Sequence, residues 1–136
     1  MAQGVSETAL ESLGPDLMSA LVTVSRRSDL ASPLTVAGKS GIRHAFTLGS
    51  EANGIVGVAC DIVVSSTPLD ETKVLTLFIK VYDVGAKSAV LCAIPGLTDG
   101  AKKLSGQYKI IVVEPASMDK IPEALGTVFQ RLSPPA

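Results

Sequence analysis

Two charged residues stand where apolar sequence leaves little room for charge. Asp61 lies within Ile55–Ser65, an apolar run interrupted only by Gly57 and by Asp61 itself. Lys80 lies within residues 73–82, which past Lys73 are apolar except for Thr76 and Lys80. A carboxylate or an ammonium among apolar neighbours is costly unless it is paired, hydrogen-bonded or bound to a metal. Two opposite charges in two neighbouring buried segments are therefore expected to meet. Two chemistries follow. One is a buried or half-buried salt bridge. The other is a hydrolytic site in which Asp61 holds Mg²⁺, which takes oxygen ligands. Lys80 would then stand beside the attacked phosphate, orienting water and stabilising developing charge.

The elements that must position this pair can be read from periodicity and punctuation. Gly14 as N-cap, Pro15 at the first helical position and Asp16 in the first turn open a helix running to about Arg27. Leu17, Leu21 and Val24 share its inner face. Residues 28–41 contain Pro33, Gly38 and Gly41 and read as a loop, with a short extended piece around Leu34-Thr35-Val36. Residues 42–48 alternate as a strand, with Ile42, His44, Phe46 and Leu48 on one face. Asn53-Gly54 is a hairpin turn. Ile55–Ser65 and residues 73–82, near-continuous apolar runs, are expected to be strands buried on both faces. Residues 88–94 form a further strand, Thr98 caps a helix that Gly106 ends, and residues 109–113 form the last strand. This βαβ unit implies parallel neighbours. Asp119 is expected to cap the last helix, with Ile121, Leu125, Val128 and Leu132 buried. From about Val56 onward the order expected is thus strand, strand, strand, helix, strand, helix.

The division expected is a polar lead-in over 1–13, a single α/β domain over 14–132 and a frayed end over 133–136. The 136-residue length suits one domain with its own core. Aromatic residues make up only 4% and Trp is absent, so that core must be aliphatic. A net charge of −1 argues against coating DNA by bulk electrostatics, though a local basic face is compatible with it. The opening residues lack the basic and apolar regions of a signal peptide, and no apolar run reaches membrane-spanning length. Cys60 and Cys92 sit in apolar runs and read as reduced, structural thiols. A cytoplasmic, soluble protein is the expectation.

Gly38-Lys39-Ser40 resembles part of a phosphate loop. The preceding glycine is missing, Pro33 standing in its place, and a strand follows instead of a helix. Lys39, Arg43 and His44 could still touch a phosphate backbone from this hairpin, or form a solvated edge. His44 is the single histidine, so no metal spacing exists. Arg26-Arg27 and Lys102-Lys103 read as solvated helix faces.

An Asp in one strand of Val58-Ala59-Cys60-Asp61-Ile62-Val63-Val64 and a Lys in Leu77-Phe78-Ile79-Lys80, 19 residues on, resemble the motif of the restriction-endonuclease-like nuclease superfamily. That motif is an Asp, a variable gap, then Glu or Gln, one residue, and Lys. The segment from Ala89 through Gly96-Leu97-Thr98 to Glu114 also resembles the family's later βαβ. Archaeal Holliday-junction resolvases and type IV restriction nucleases are the members nearest in pattern. The resemblance implies a three-layer core with a mixed five-stranded sheet, in the order α-β-β-β-β-α-β-α. It implies Mg²⁺ on Asp61, Asp61 and Lys80 as catalytic residues, DNA as the partner, and a homodimer. One position departs: Phe78 stands where the family has Glu or Gln, and a phenyl ring cannot bind a metal. Either Asp83, Glu51, Glu71 or Glu11 supplies the acid, or the site does not hydrolyse. Three functions are thus expected to compete: Mg²⁺-dependent DNA hydrolysis, a non-catalytic interaction or dimerisation domain of the same fold, and a small-ligand binder at the carboxyl ends of the parallel strands.

Overall fold

A computed structural model describes residues 7–9 and 12–132. The terminal segment 133–136 and Glu11, one of the acids considered above, lie outside the described residues. The elements run β1 (Glu7–Ala9), α1 (Pro15–Ser25), β2 (Leu34–Ala37), β3 (Arg43–Phe46), β4 (Leu48–Ala52), β5 (Ile55–Ser65), α2 (Glu71–Val84), β6 (Ser88–Ile94), α3 (Asp99–Gln107), β7 (Ile110–Val113) and α4 (Ile121–Arg131). A 3₁₀ turn, Met118–Lys120, precedes α4. The fold is α/β. β5, β6 and β7 are parallel neighbours, and β4 and β1 pair antiparallel with successive parts of the far edge of β5. β1 brings part of the expected lead-in into this sheet. β2 and β3 form a separate two-stranded hairpin.

The largest departure from expectation is residues 73–82, which are helix and not strand. The second half of the chain therefore runs strand, helix, strand, helix, strand, helix. Asp70 caps α2, its side chain accepting from Thr72 N–H at 3.0 Å, and Gly85 ends it in the left-handed region at φ 70°. Val74, Leu77, Phe78 and Val81 fall at i, i+3, i+4 and i+7, and they pack on the sheet. Residues 71–84 cross from β5 to the parallel β6, a connection that needs a covering element of about this length. The near-continuous apolar run that suggested a strand is equally compatible with a helix, and the caps and the crossover decide between them.

The sheet separates two cores. Ala59, Ala89, Leu91 and Ala93 meet Val74 and Leu77 of α2 and Ala101 of α3 on one face. Val58, Cys60, Ile62, Val90 and Cys92 meet Leu21 of α1 and Ile121, Leu125 and Phe129 of α4 on the other. α1 and α4 approach closely because residue 126 is glycine: a Cβ there would lie 2.4 Å from Val24 Cγ1. Cys60 and Cys92 are buried and unpaired, and burial pushes the Cys92 thiol up to about 12. Arg27 is not on a solvated face as expected. α1 stops at Ser25, Arg26 turns left-handed at φ 58°, and Arg27 folds inward to bond Asp29 and the Phe129 carbonyl. No described helix is long and apolar enough to cross a membrane.

Candidate functional site

Asp61 faces the α2 side of the sheet because it shares that face with Ala59 and Val63. It also sits at a gap in the ladder. β4 covers β5 up to Cys60, and β1 resumes at Val63. Thr47, the single residue between β3 and β4, fills this gap with polar groups. Its Oγ1 accepts from Ile62 N–H at 3.0 Å, and its N–H donates to Asp61 Oδ1 at 3.1 Å. The carboxylate is thus held partly by a backbone donor that would otherwise lack a partner.

Lys80 reaches Asp61 from the helix. Its Nζ donates to Asp61 Oδ2 at 2.6 Å and to the Ala45 carbonyl at 2.8 Å, and it lies 4.8 Å from the centre of the Phe46 ring. The pair is mostly buried, with side-chain exposures of 17% for Asp61 and 19% for Lys80. The expectation that the two charges meet therefore holds, although the element carrying Lys80 is different.

The change of element alters the chemistry at Phe78. On a strand, residues 78 and 80 would share a face, which is what a metal-binding acid two residues before the lysine requires. On a helix they point about 200° apart. Phe78 stacks on Tyr108 with ring centres 4.1 Å apart, inside the α2–α3 core. The described substitute acids lie elsewhere. Glu51 accepts from Gly54 N–H in the β4–β5 turn. Glu71 lies beside Gly100, at the opposite end of α2 from Lys80. Asp83 belongs to a second cluster. Among the described residues no group of three His, Cys, Asp or Glu side chains is placed to hold a metal ion. Both Asp61 oxygens are engaged within the protein, Oδ1 by the Thr47 N–H and Oδ2 by Lys80 Nζ.

The second cluster ties the β2–β3 hairpin to the end of α2. Ser40 Oγ donates to Asp83 Oδ2 at 2.6 Å, Ser40 N–H donates to Oδ1 at 3.0 Å, and His44 Nε2 lies 2.8 Å from Oδ2. Gly38 permits this approach, since a Cβ there would sit 2.1 Å from Asp83 Oδ2. The Asp is central and bonds both partners, so Ser40 is not activated by His44 as in a nucleophilic triad. Lys39, Arg43 and His44 do not converge. His44 turns inward to Asp83, Arg43 points to the other face of β3, and Lys39 lies 5.6 Å from the Tyr82 ring centre. Residues 38–41 make a tight hairpin turn and no phosphate loop.

The Ser40 hydroxyl, then the His44 imidazole and the Ser40 N–H, hold the Asp83 carboxyl down at about 2, from an ordinary 3.8. A depressed carboxyl adds stability that is complete above its unfolded value and is lost as pH falls through the folded one. Asp83→Asn is expected to flatten the loss of stability between pH 3.8 and about 2. Urea midpoints across that range check this, and parallel curves for parent and variant would refute it.

Sequence reading missed Thr47, the Ala45 carbonyl and the Ser40–Asp83–His44 cluster. Each depends on contacts between segments distant in sequence. The i, i+3, i+4, i+7 spacing from Val74 to Val81, bracketed by Asp70 and Gly85, was the local signal that could have revealed α2.

Together these elements define a three-layer α/β domain with a mixed five-stranded sheet and an Asp–Lys pair at a break in its antiparallel edge. No family model and no curated protein matches this chain. A solved structure, that of a protein of unknown function called AF1548, resembles it with a TM-score of 0.59 and 15% sequence identity over 76% of this chain. The chain spans 58% of the length of that protein. At this identity the likeness is one of fold.

Proposed function

We propose that the domain is a non-catalytic interaction module on a restriction-endonuclease-like scaffold, in which Asp61 and Lys80 brace the structure. The observation that carries this reading is the engagement of both Asp61 oxygens, Oδ1 by the Thr47 amide and Oδ2 by Lys80. A metal ligand needs a lone pair aimed at the ion, and a transition-state cation must be able to reach phosphate. Here each group is turned toward the other and toward backbone. Phe78 packed on Tyr108, Glu51 and Asp83 bonded elsewhere, and Glu71 placed at the far end of α2 support the same conclusion. The two buried, free thiols fit a reducing, cytoplasmic setting.

The test is cleavage of duplex, single-stranded and branched DNA in Mg²⁺ or Mn²⁺, with Asp61→Asn beside the parent. No cleavage by the parent is expected. Cleavage by the parent that Asp61→Asn abolishes would replace this reading with metal-dependent hydrolysis. Nucleic acid as a bound partner is the second reading, favoured by the exposure of Lys39 and Arg43 on the hairpin. It requires DNA affinity that falls with salt and falls again in Lys39→Ala or Arg43→Ala.

A further inference from the structure

α2 has an outward face unlike that of an ordinary surface helix, which carries charge toward water. Its exposed positions between 72 and 82 are Thr72, Leu75, Thr76, Ile79 and Tyr82, none of them charged. Ile79 is 62% exposed and Tyr82 70%. The Thr76 hydroxyl donates to the Thr72 carbonyl at 2.9 Å, which lessens the polarity of the stripe further. Lys80, whose charge would break it, is drawn away to Asp61. Beside the stripe, Ile42 of the hairpin is 61% exposed, and together with His44, Phe78, Ile79 and Tyr82 it lines an open cleft of about 320 Å³. Large apolar side chains grouped in this way mark an interaction surface.

We infer that this face binds a second copy of the chain, with the two α2 helices packed antiparallel about a two-fold axis. The inference deepens the interaction-module reading and rests on it. The distribution of charge selects the occupant. Glu71 is exposed at the start of α2, and Lys39 stands beside Tyr82 at its end. Asp83, also at that end, is already held by Ser40 and His44. An axis passing near residue 77 sets Leu75 against the partner's Ile79 and Thr72 against the partner's Tyr82. The same operation carries Glu71 toward the partner's Lys39, twice, because a two-fold interface repeats every contact. An uncharged centre meets itself without repulsion, and complementary charges at the rim fix the antiparallel sense. A parallel pairing would instead set Glu71 beside Glu71 and Lys39 beside Lys39.

Sedimentation velocity on the full chain, from about 1 to about 100 µM, tests this over the range in which a micromolar interface fills. The parent is expected to dimerise. Ile79→Glu, at an exposed site where circular dichroism should report an unchanged fold, is expected to weaken the dimer on the order of a hundredfold. Glu71→Lys and Lys39→Glu should each weaken it, and the double variant should recover most of the loss. A parent that stays monomeric, an Ile79→Glu variant that stays dimeric, or a charge swap without recovery would overturn the inference. A monomeric parent that does not cleave DNA would remove the second copy and leave the non-catalytic reading standing. Cleavage dependent on Asp61 would remove that reading whatever the assembly.

Discussion

Asp61→Ala is expected to destabilise the domain by about 2–3 kcal/mol, seen as a lower urea midpoint with an unchanged slope. The loss has two sources. The Lys80 ammonium keeps one protein acceptor, the Ala45 carbonyl, and loses its counter-charge while still mostly buried. The Thr47 N–H loses its acceptor at the ladder gap. Removing one member of a fully buried pair costs about 3–5 kcal/mol, and the residual contact of both side chains with water places this case below that range. The double variant Asp61→Ala/Lys80→Met should be less damaging than the sum of the two single changes, because no ammonium is left stranded and the methionine replaces the lysine with an apolar chain of similar length. Strict additivity would show that the two charges do not act on each other. This experiment also separates a brace from a catalytic pair: a structural role moves the midpoint, and it does so in the absence of any metal or nucleic acid.

Phe46→Ala is expected to cost more, about 3–5 kcal/mol, the range for emptying a buried aromatic site. Phe46 is 1% exposed and is among the largest fully buried side chains. It pairs with Leu34 across the β2–β3 hairpin, packs into the core beneath α2, and presents its ring to Lys80. Among the described residues the hairpin pairs with no strand of the larger sheet, so its attachment depends on this side chain, on the Asp83 cluster, on the Lys80 bond to the Ala45 carbonyl and on the link through Thr47. The cavity left by alanine therefore loosens both sides of the Asp61–Lys80 pair. Hydrogen exchange should show protection falling first at Gly38 N–H and Leu48 N–H, ahead of the parallel strands. A loss below about 1 kcal/mol would mean that the hairpin is held chiefly by its polar contacts.

The non-catalytic reading makes the fate of Lys80 intelligible. A lysine on the outer part of a crossover helix would ordinarily extend into water. Here Asp61 and the Ala45 carbonyl draw it back across the edge of the sheet, fastening α2 to β5 and to the hairpin in one contact. The same contact clears charge from the outward stripe that runs from Thr72 to Tyr82. The proposed brace and the proposed docking face would thus be two consequences of a single side chain.

Much of the chain was determined locally and was legible in the sequence. The continuous apolar run of β5, the Asn53-Gly54 turn with both residues at positive φ, the Pro15 start of α1, and the β6–α3–β7 unit with its Thr98 cap all follow from short-range preferences and period. The meeting of Asp61 with Lys80 was legible too, because two costly charges in apolar surroundings have few ways to be satisfied. Tertiary structure alone decided the rest. Whether residues 73–82 became strand or helix depended on the need to cross from β5 to a parallel β6, which no window of ten residues contains. That choice turned Phe78 from a neighbour of the expected metal site into a partner of Tyr108, and left Ile79 and Tyr82 facing outward. The backbone groups that complete the Asp61 site come from Thr47 and Ala45, whose types announce nothing, since every residue carries an amide and a carbonyl. Side-chain chemistry is written residue by residue, whereas the placement of backbone donors and acceptors exists only once the chain has folded.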